Sequence, residues 1–182
     1  MRSSHVARVL LCLTLAALAG PALGQADKGW KDLSPKGGGF SVKMPGEPKE
    51  NSQQLDAGGG KLEIRTYTLE VNQNLVYVVA YNQMPTDANK IGDADKKKIL
   101  DGAREGMLNN IKGKLLKEAN ITLDKNAGRD WQFDALQGKM YGRSRAFLVG
   151  DRMYQVMVMG EDKGVMTNKD TETYLASFKL AK

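Results

Sequence analysis

The chain has one cysteine and one histidine, Cys12 and His5, and both lie within its first 26 residues. In that segment two arginines precede an apolar run, residues 9–19, and small residues follow it, as in a secretory signal. A helix over the run would span about 16 Å, roughly half of a bilayer core, which is too short for a membrane anchor. We therefore predict a signal peptide over residues 1–26 and a periplasmic or secreted protein.

Removal of that segment would leave residues 27–182 without a thiol or an imidazole. Ser-His-Asp triads, Cys-His dyads, ordinary zinc sites and disulfides all need one of these groups. The formal net charge would fall from +6 to +4, because the segment carries two arginines and no acid. Such a charge is far below that of a nucleic-acid-binding domain. We expect one monomeric domain over residues 27–182, with no cofactor, no nucleic-acid partner and no transmembrane segment.

The pattern of apolar residues predicts strands on both sides of one helix. Residues 40–44 alternate apolar and polar, as a half-buried strand does, and residues 75–81 are apolar on both faces, as in a central strand. The period becomes helical over about 93–115, and a short helix is predicted over 169–176. We predict an α+β fold, in which one longer helix and one short C-terminal helix pack on an antiparallel sheet of about seven strands. The other predicted strands are 53–56, 61–71, 116–123, 129–135, 139–149 and 152–159, with turns at 126–128, 137–138 and 150–151.

The two-residue turn Gly150-Asp151 predicts the register of the last hairpin. If Val149 pairs with Arg152, Ser144 faces Met157 and small residues lie opposite methionines. That face would form a shallow seat for a helix. The other face would carry an aromatic and basic strip around Arg143.

Several short segments resemble the PsbP-like fold, which the PsbP proteins of photosystem II share with the bacterial DcrB lipoproteins. They are the stretch 39–45 (GFSVKMP), the helix after the central strand, the hairpin start Gly128-Arg129 and the closing stretch 174–180 (YLASFKL). The resemblance implies a small extracytoplasmic domain that is not catalytic and that binds or assists another component. It implies no catalytic residues.

Basic residues beside an aromatic residue form the candidate site for a ligand or partner. Guanidinium groups bind carboxylates in bidentate geometry, so the partner would be a small anionic ligand or another exported or envelope protein. In the structural alternative, the arginine stems pack on aromatic rings, or the guanidinium groups pair with Asp130 and Glu161. The candidate binding residues are Arg129, Tyr141, Arg143 and Arg145.

Two other functions stay open beside an exported, non-enzymatic binding or accessory protein. Asp130 and Asp134 could serve a carboxylate-dependent hydrolase, although residues four apart on a strand are about 13 Å apart, too far for a carboxylate pair. Met153, Met157 and Met159 share one predicted strand face, and thioethers bind Cu(I). Methionines also fill irregular gaps beneath a helix, which is the structural interpretation of the same pattern.

Overall fold

The structure, a computed structural model, describes residues 29–56 and 61–181. The predicted signal peptide, with Cys12 and His5, lies outside the described residues. Short 3₁₀ turns cover Ala88–Lys90 and Lys163–Met166. The other elements of the described ranges are β1 (Lys31–Leu33), β2 (Phe40–Met44), β3 (Lys49–Asp56), β4 (Lys61–Asn72), β5 (Leu75–Gln83), α1 (Asp93–Asn110), β6 (Lys114–Leu123), β7 (Asn126–Ala135), β8 (Met140–Val149), β9 (Arg152–Gly160), α2 (Lys169–Ser177) and β10 (Lys179–Leu180).

Seven antiparallel strands form the main sheet, in the order β3-β4-β5-β9-β8-β7-β6. The predicted α+β class and the seven-stranded antiparallel sheet are therefore confirmed. A second, three-stranded sheet, β1-β2-β10, was not predicted. It forms because the closing residues of the chain return to pair with β2, and such a long-range pairing leaves no local signal in the sequence. Neither described helix is long and apolar enough to cross a bilayer.

Each face of the main sheet has its own apolar core. On one face α1 buries Leu100, Ala103 and Met107 against β7, β8 and β9. On the other face the small sheet and α2 pack together, and the rings of Phe147 and Phe178 are stacked at 5.8 Å. The central strands of the main sheet are thus covered from both sides, which explains the continuous apolar run of β5.

The register of the β8–β9 hairpin is as predicted. Val149 pairs with Arg152 and Ser144 with Met157, and Gly150 between the strands has a φ of +57°. The methionine-rich face of β9 lies in the core beneath α1. The helix-packing surface that was predicted from the hairpin register is therefore the surface on which α1 packs.

Two predicted boundaries were wrong. Helix α1 ends at Asn110 instead of continuing to about residue 115, and the chain enters β6 at Lys114. The β6–β7 turn is Asp124-Lys125, with φ of +47° and +70°, and not residues 126–128. Gly128 lies inside β7, where a Cβ atom would be 2.5 Å from Cδ1 of Phe147. This glycine permits close packing and does not mark a turn.

Candidate functional site

A pocket of about 250 Å³ lies on the α2 side of the main sheet, over β6, β7 and β8. The strand register builds it from two rows of side chains. Lys117, Gln132 and Arg143 lie side by side in one row, and Asp130 and Arg145 belong to the next. The lining residues are Lys117, Glu118, Ala119, Ile121, Asp130, Gln132, Arg143 and Arg145.

Asp130 is the buried centre of this arrangement. Its carboxylate accepts hydrogen bonds from Nε and Nη2 of Arg143, at 2.9 and 2.8 Å, and from Nε of Arg145 at 2.8 Å. Arg143 also donates through Nη1 to Glu172, in the first turn of α2. The three nitrogens of the Arg143 guanidinium are therefore all engaged, and this residue holds α2 to the sheet. We call Arg143, Arg145, Asp130 and Glu172 the pocket cluster.

Arg145 retains unused donor capacity. Its Nη2 lies 3.9 Å from Glu172, beyond hydrogen-bonding distance, and its Nη1 makes no hydrogen bond within the described part of the chain. Lys117, on the same pocket wall, is exposed and makes no ion pair to any described residue. The pocket thus presents a fixed guanidinium and an ammonium group for an anion.

The charges of the pocket cluster determine the protonation of Asp130. Burial alone would raise the pKa of this carboxyl, but hydrogen bonds and positive charge from Arg143 and Arg145 outweigh burial and lower the pKa. The hydrogen bond to Asp130 likewise raises the pKa of Arg143. Asp130 and Arg143 are therefore both charged at neutral pH. Lys117 also lines the pocket, and so does Glu118, whose carboxylate is held by Arg104 and Arg129.

The structure separates Arg129 from the other predicted site residues. It pairs in register with Ala146 and lies on the α1 face, where Nη1 is 2.9 Å from Asp101 and 2.8 Å from Glu118. Arg104 of α1 contacts the same two carboxylates. The alternation of side chains along β7 separates Arg129 from Asp130, because neighbouring residues of a strand point to opposite faces. We call Arg104, Arg129, Asp101 and Glu118 the helix cluster.

Tyr141 shares the face of Arg143 and Arg145 but does not line the pocket. It is half-buried against the core of that face. Whether any of the four predicted residues binds a ligand stays a prediction.

Three residues near Arg145 were missed by sequence reasoning, namely Lys117, Gln132 and Glu172. The place of Lys117 depends on the register of β6, which a β-bulge shifts between Leu115 and Lys117, and that of Gln132 on the pairing of β7 with β8. Glu172, and not the predicted Glu161, is the second carboxylate partner of the arginines, because α2 folds back over β8. The predicted pairing with Asp130 is confirmed.

The carboxylates of the hydrolase alternative are both engaged. Asp130 is held by two arginines, and Asp134 accepts the backbone N–H of Lys114 at 3.0 Å. Among the described residues, no three His, Cys, Asp or Glu side chains are placed to share a metal ion. Both carboxylates therefore have structural partners, two arginines for Asp130 and a backbone N–H for Asp134.

The methionines of the copper alternative are core residues. Met153, Met157 and Met159 are each 3% exposed and pack beneath α1. Their burial agrees with the gap-filling interpretation. A metal would reach them only if α1 moved away from the sheet.

Comparison with solved structures gives the fold. The chain is similar to the solution structure of cyanobacterial PsbP (CyanoP) from Synechocystis sp. PCC 6803, with a TM-score of 0.56 and 12% identity. The match covers 89% of this chain and 98% of that one. The fold is PsbP-like. Neither a protein-family model nor a curated protein sequence matches the chain, so the likeness concerns the fold alone.

The positions of the edge strand and of α2 in this chain explain how the pocket arises. Its main sheet extends to the edge strand β6, and α2 reaches only as far as Arg143 and Arg145 through Glu172. The sheet surface beyond α2, over β6 and β7, is left as the floor of the pocket.

Proposed function

We propose that this protein is an exported, non-enzymatic binding or accessory domain that captures a carboxylate-bearing partner or a small anionic ligand in the Arg145 pocket. The observation that supports this most directly is the state of Arg145. Asp130 fixes its Nε at 2.8 Å, while its Nη1 has no partner among the described residues and the side chain lines an open pocket. Lys117 adds a second cation on the same wall, and it forms no ion pair with any described residue.

Preorganisation makes Arg145 a suitable anion ligand. A guanidinium that is already held by a carboxylate loses little rotamer freedom when it binds, and charge-assisted hydrogen bonds are stronger than neutral ones. Its side chain is 19% exposed, so an anion would meet it partly desolvated. Gln132, in the same row as Lys117, can add a neutral donor or acceptor.

The protonation state of the pocket supports binding over catalysis. A general base needs a pKa near the working pH and a lone pair directed at the substrate. Asp130 has a lowered pKa, and both of its oxygens accept hydrogen bonds from arginines. It is therefore a weak base, and its role in the proposal is to position the guanidinium groups.

Titration with citrate, a small polycarboxylate, tests the pocket directly. We expect saturable NMR shifts of the Arg145 Nε–H and Gln132 side-chain amide signals, and no such shifts with glycerol. Arg145→Gln should weaken citrate binding at least tenfold, because it removes a guanidinium whose Nη1 has no hydrogen-bond partner among the described residues. Arg65→Gln is the matched control, since Arg65 is a half-buried strand arginine paired with Glu63 on β4. Equal affinity of Arg145→Gln and wild type would refute the pocket as the binding site.

Export is the other part of this proposal, and it rests on the signal-like pattern of residues 1–26. Mass spectrometry of the protein recovered from the periplasm or the medium should give an N-terminus near residue 25 or 27. A chain retained in the cytoplasm with residues 1–26 intact would contradict it.

A further inference from the structure

Exposed apolar side chains are concentrated at one end of the molecule. Four large apolar side chains of the described residues are exposed, and three of them are Leu115 (38%), Leu116 (48%) and Leu136 (40%). They lie where β6 begins and where β7 turns into β8. The two segments are adjacent, because the backbone N–H of Leu136 donates to the carbonyl oxygen of Ile111 at 3.0 Å.

Exposed lysines lie next to these leucines in the chain. Lys112 and Lys114 flank the start of β6, and Lys139 ends the β7–β8 turn. None of the three makes an ion pair to any residue that the structure describes. The acid of the adjoining strand, Asp134, is engaged with the backbone N–H of Lys114. We call Lys112, Lys114, Leu115, Leu116, Leu136 and Lys139 the leucine tip.

Folding alone does not account for a leucine at position 136. Its φ is +50°, and Gln137 after it has a φ of +62°. Glycine and asparagine adopt this left-handed region with less strain than leucine. Leu136 is also exposed, so burial does not compensate for the unfavourable backbone. Such a residue is retained more readily if the exposed side chain makes a contact outside the chain.

We propose that the leucine tip docks on an anionic lipid bilayer, with the leucines at the acyl boundary and the lysines among the headgroups. Protein interfaces are depleted of lysine and enriched in aromatic residues, whereas the tip is rich in lysine and has no aromatic residue. Apolar side chains ringed by lysines are typical of surfaces that bind anionic membranes. The leucine tip is adjacent to the Arg145 pocket, but the two surfaces share no residue, since Lys117 belongs to the pocket and not to the tip. Membrane binding by the tip therefore does not require anion binding in the pocket.

Vesicle sedimentation tests the proposal. The full chain is mixed with vesicles of phosphatidylcholine, or of phosphatidylcholine and phosphatidylglycerol at 3:1, and the ratio of the two affinities is measured. Each lysine near an anionic surface contributes roughly a fivefold effect, so Lys112→Gln, Lys114→Gln and Lys139→Gln together should reduce the preference for phosphatidylglycerol at least tenfold. The matched control is Lys36→Gln, Lys49→Gln and Lys90→Gln, which makes the same change in net charge at exposed lysines elsewhere.

Two further variants separate the possible outcomes. Leu115→Ser, Leu116→Ser and Leu136→Asn together should weaken binding to anionic vesicles, and Arg145→Gln should not. All variants share residues 1–26, so any binding by that apolar segment is common to them. The proposal is wrong if the tip lysine variant keeps the wild-type preference, or if the control variant loses as much. It is also wrong if hexaglutamate in solution binds the tip while anionic vesicles do not, since that result would indicate an acidic protein partner.

Discussion

The helix cluster and the pocket cluster have the same composition, two arginines and two carboxylates, but lie on opposite faces of one sheet. Helix α1 contributes Asp101 and Arg104 to the helix cluster, so one element covers that cluster with charges of both signs. In the pocket cluster α2 contributes only Glu172. The side chain of Arg129 is 5% exposed, against 19% for Arg145. The covering helix, and not the residue types, decides which arginine borders an open pocket.

This comparison predicts that stability and binding depend on different members of the two clusters. Residues whose charges are fully paired inside the protein should affect mainly the free energy of unfolding. Residues that border the pocket with unused donors should affect mainly anion affinity.

The largest effect is expected for Asp130→Asn. The change leaves Arg143 and Arg145 without the carboxylate they share. Removal of one partner of a buried ion pair lowers the free energy of unfolding by about 3 kcal/mol when the pair is close to the surface. Urea denaturation measures it. Asp134→Asn is the control, because Asp134 is on the same strand and face but, within the described part of the chain, accepts only the backbone N–H of Lys114. It should cost less than about 1 kcal/mol of unfolding free energy. Equal costs for the two variants would show that the arginine pairs do not stabilise the fold.

The second prediction concerns the helix cluster. Arg129→Met should lower the unfolding free energy by about 2 kcal/mol, because Asp101 and Glu118 keep Arg104 but lose their more buried cation. Citrate affinity should stay within twofold of wild type, because Arg129 points away from the pocket. A parallel loss of stability and citrate binding would contradict the separation of the two clusters.

The pH dependence of stability should differ between wild type and Asp130→Asn. The folded pKa of Asp130 lies below the ordinary value of about 3.9, so its stabilising contribution is present above that pH and is lost as pH falls through the folded pKa. One such carboxyl contributes a slope of at most about 1.4 kcal/mol per pH unit. Urea denaturation from pH 6 to pH 2.5 should show the difference between the two proteins shrinking below pH 4. A constant difference over this range would show that Asp130 does not titrate with a lowered pKa.

Much of this arrangement was predictable from local patterns. Apolar residues that recur every second position identified strands of the main sheet, and those that recur at the helical period identified the helices that pack on it. The Gly150-Asp151 turn predicted the β8–β9 register to the residue. That register placed Arg143 and Arg145 on one face, opposite the methionines. A short turn and a strict alternation are local properties, so one sequence is enough to read them.

The rest depends on contacts between distant parts of the chain. The small sheet needs Lys179 to pair with Ser41, and the carboxylate over the pocket comes from α2, not from Glu161 beside β9. The Asp124-Lys125 turn has no glycine or asparagine to mark its positive φ values. The prediction that Arg129 and Arg143 belong to one site was wrong about the face of β7 on which Arg129 lies. The sequence alone did not give the register of β7 with β8, which places Arg129 on the opposite face from Arg143.

The smallest change in stability is expected for Glu172→Gln, a variant that should lose a little unfolding free energy but gain citrate affinity. Glu172 is 49% exposed, so Glu172→Gln removes a surface ion pair and should cost less than about 1 kcal/mol. The same change removes one negative charge near the pocket and releases Nη1 of Arg143 from its ionic partner. Citrate should therefore bind two- to fivefold more tightly to Glu172→Gln than to wild type in the NMR titration. Weaker binding would mean that Glu172 orients the arginines instead of competing with the ligand, and the pocket would then require α2 to be held in place.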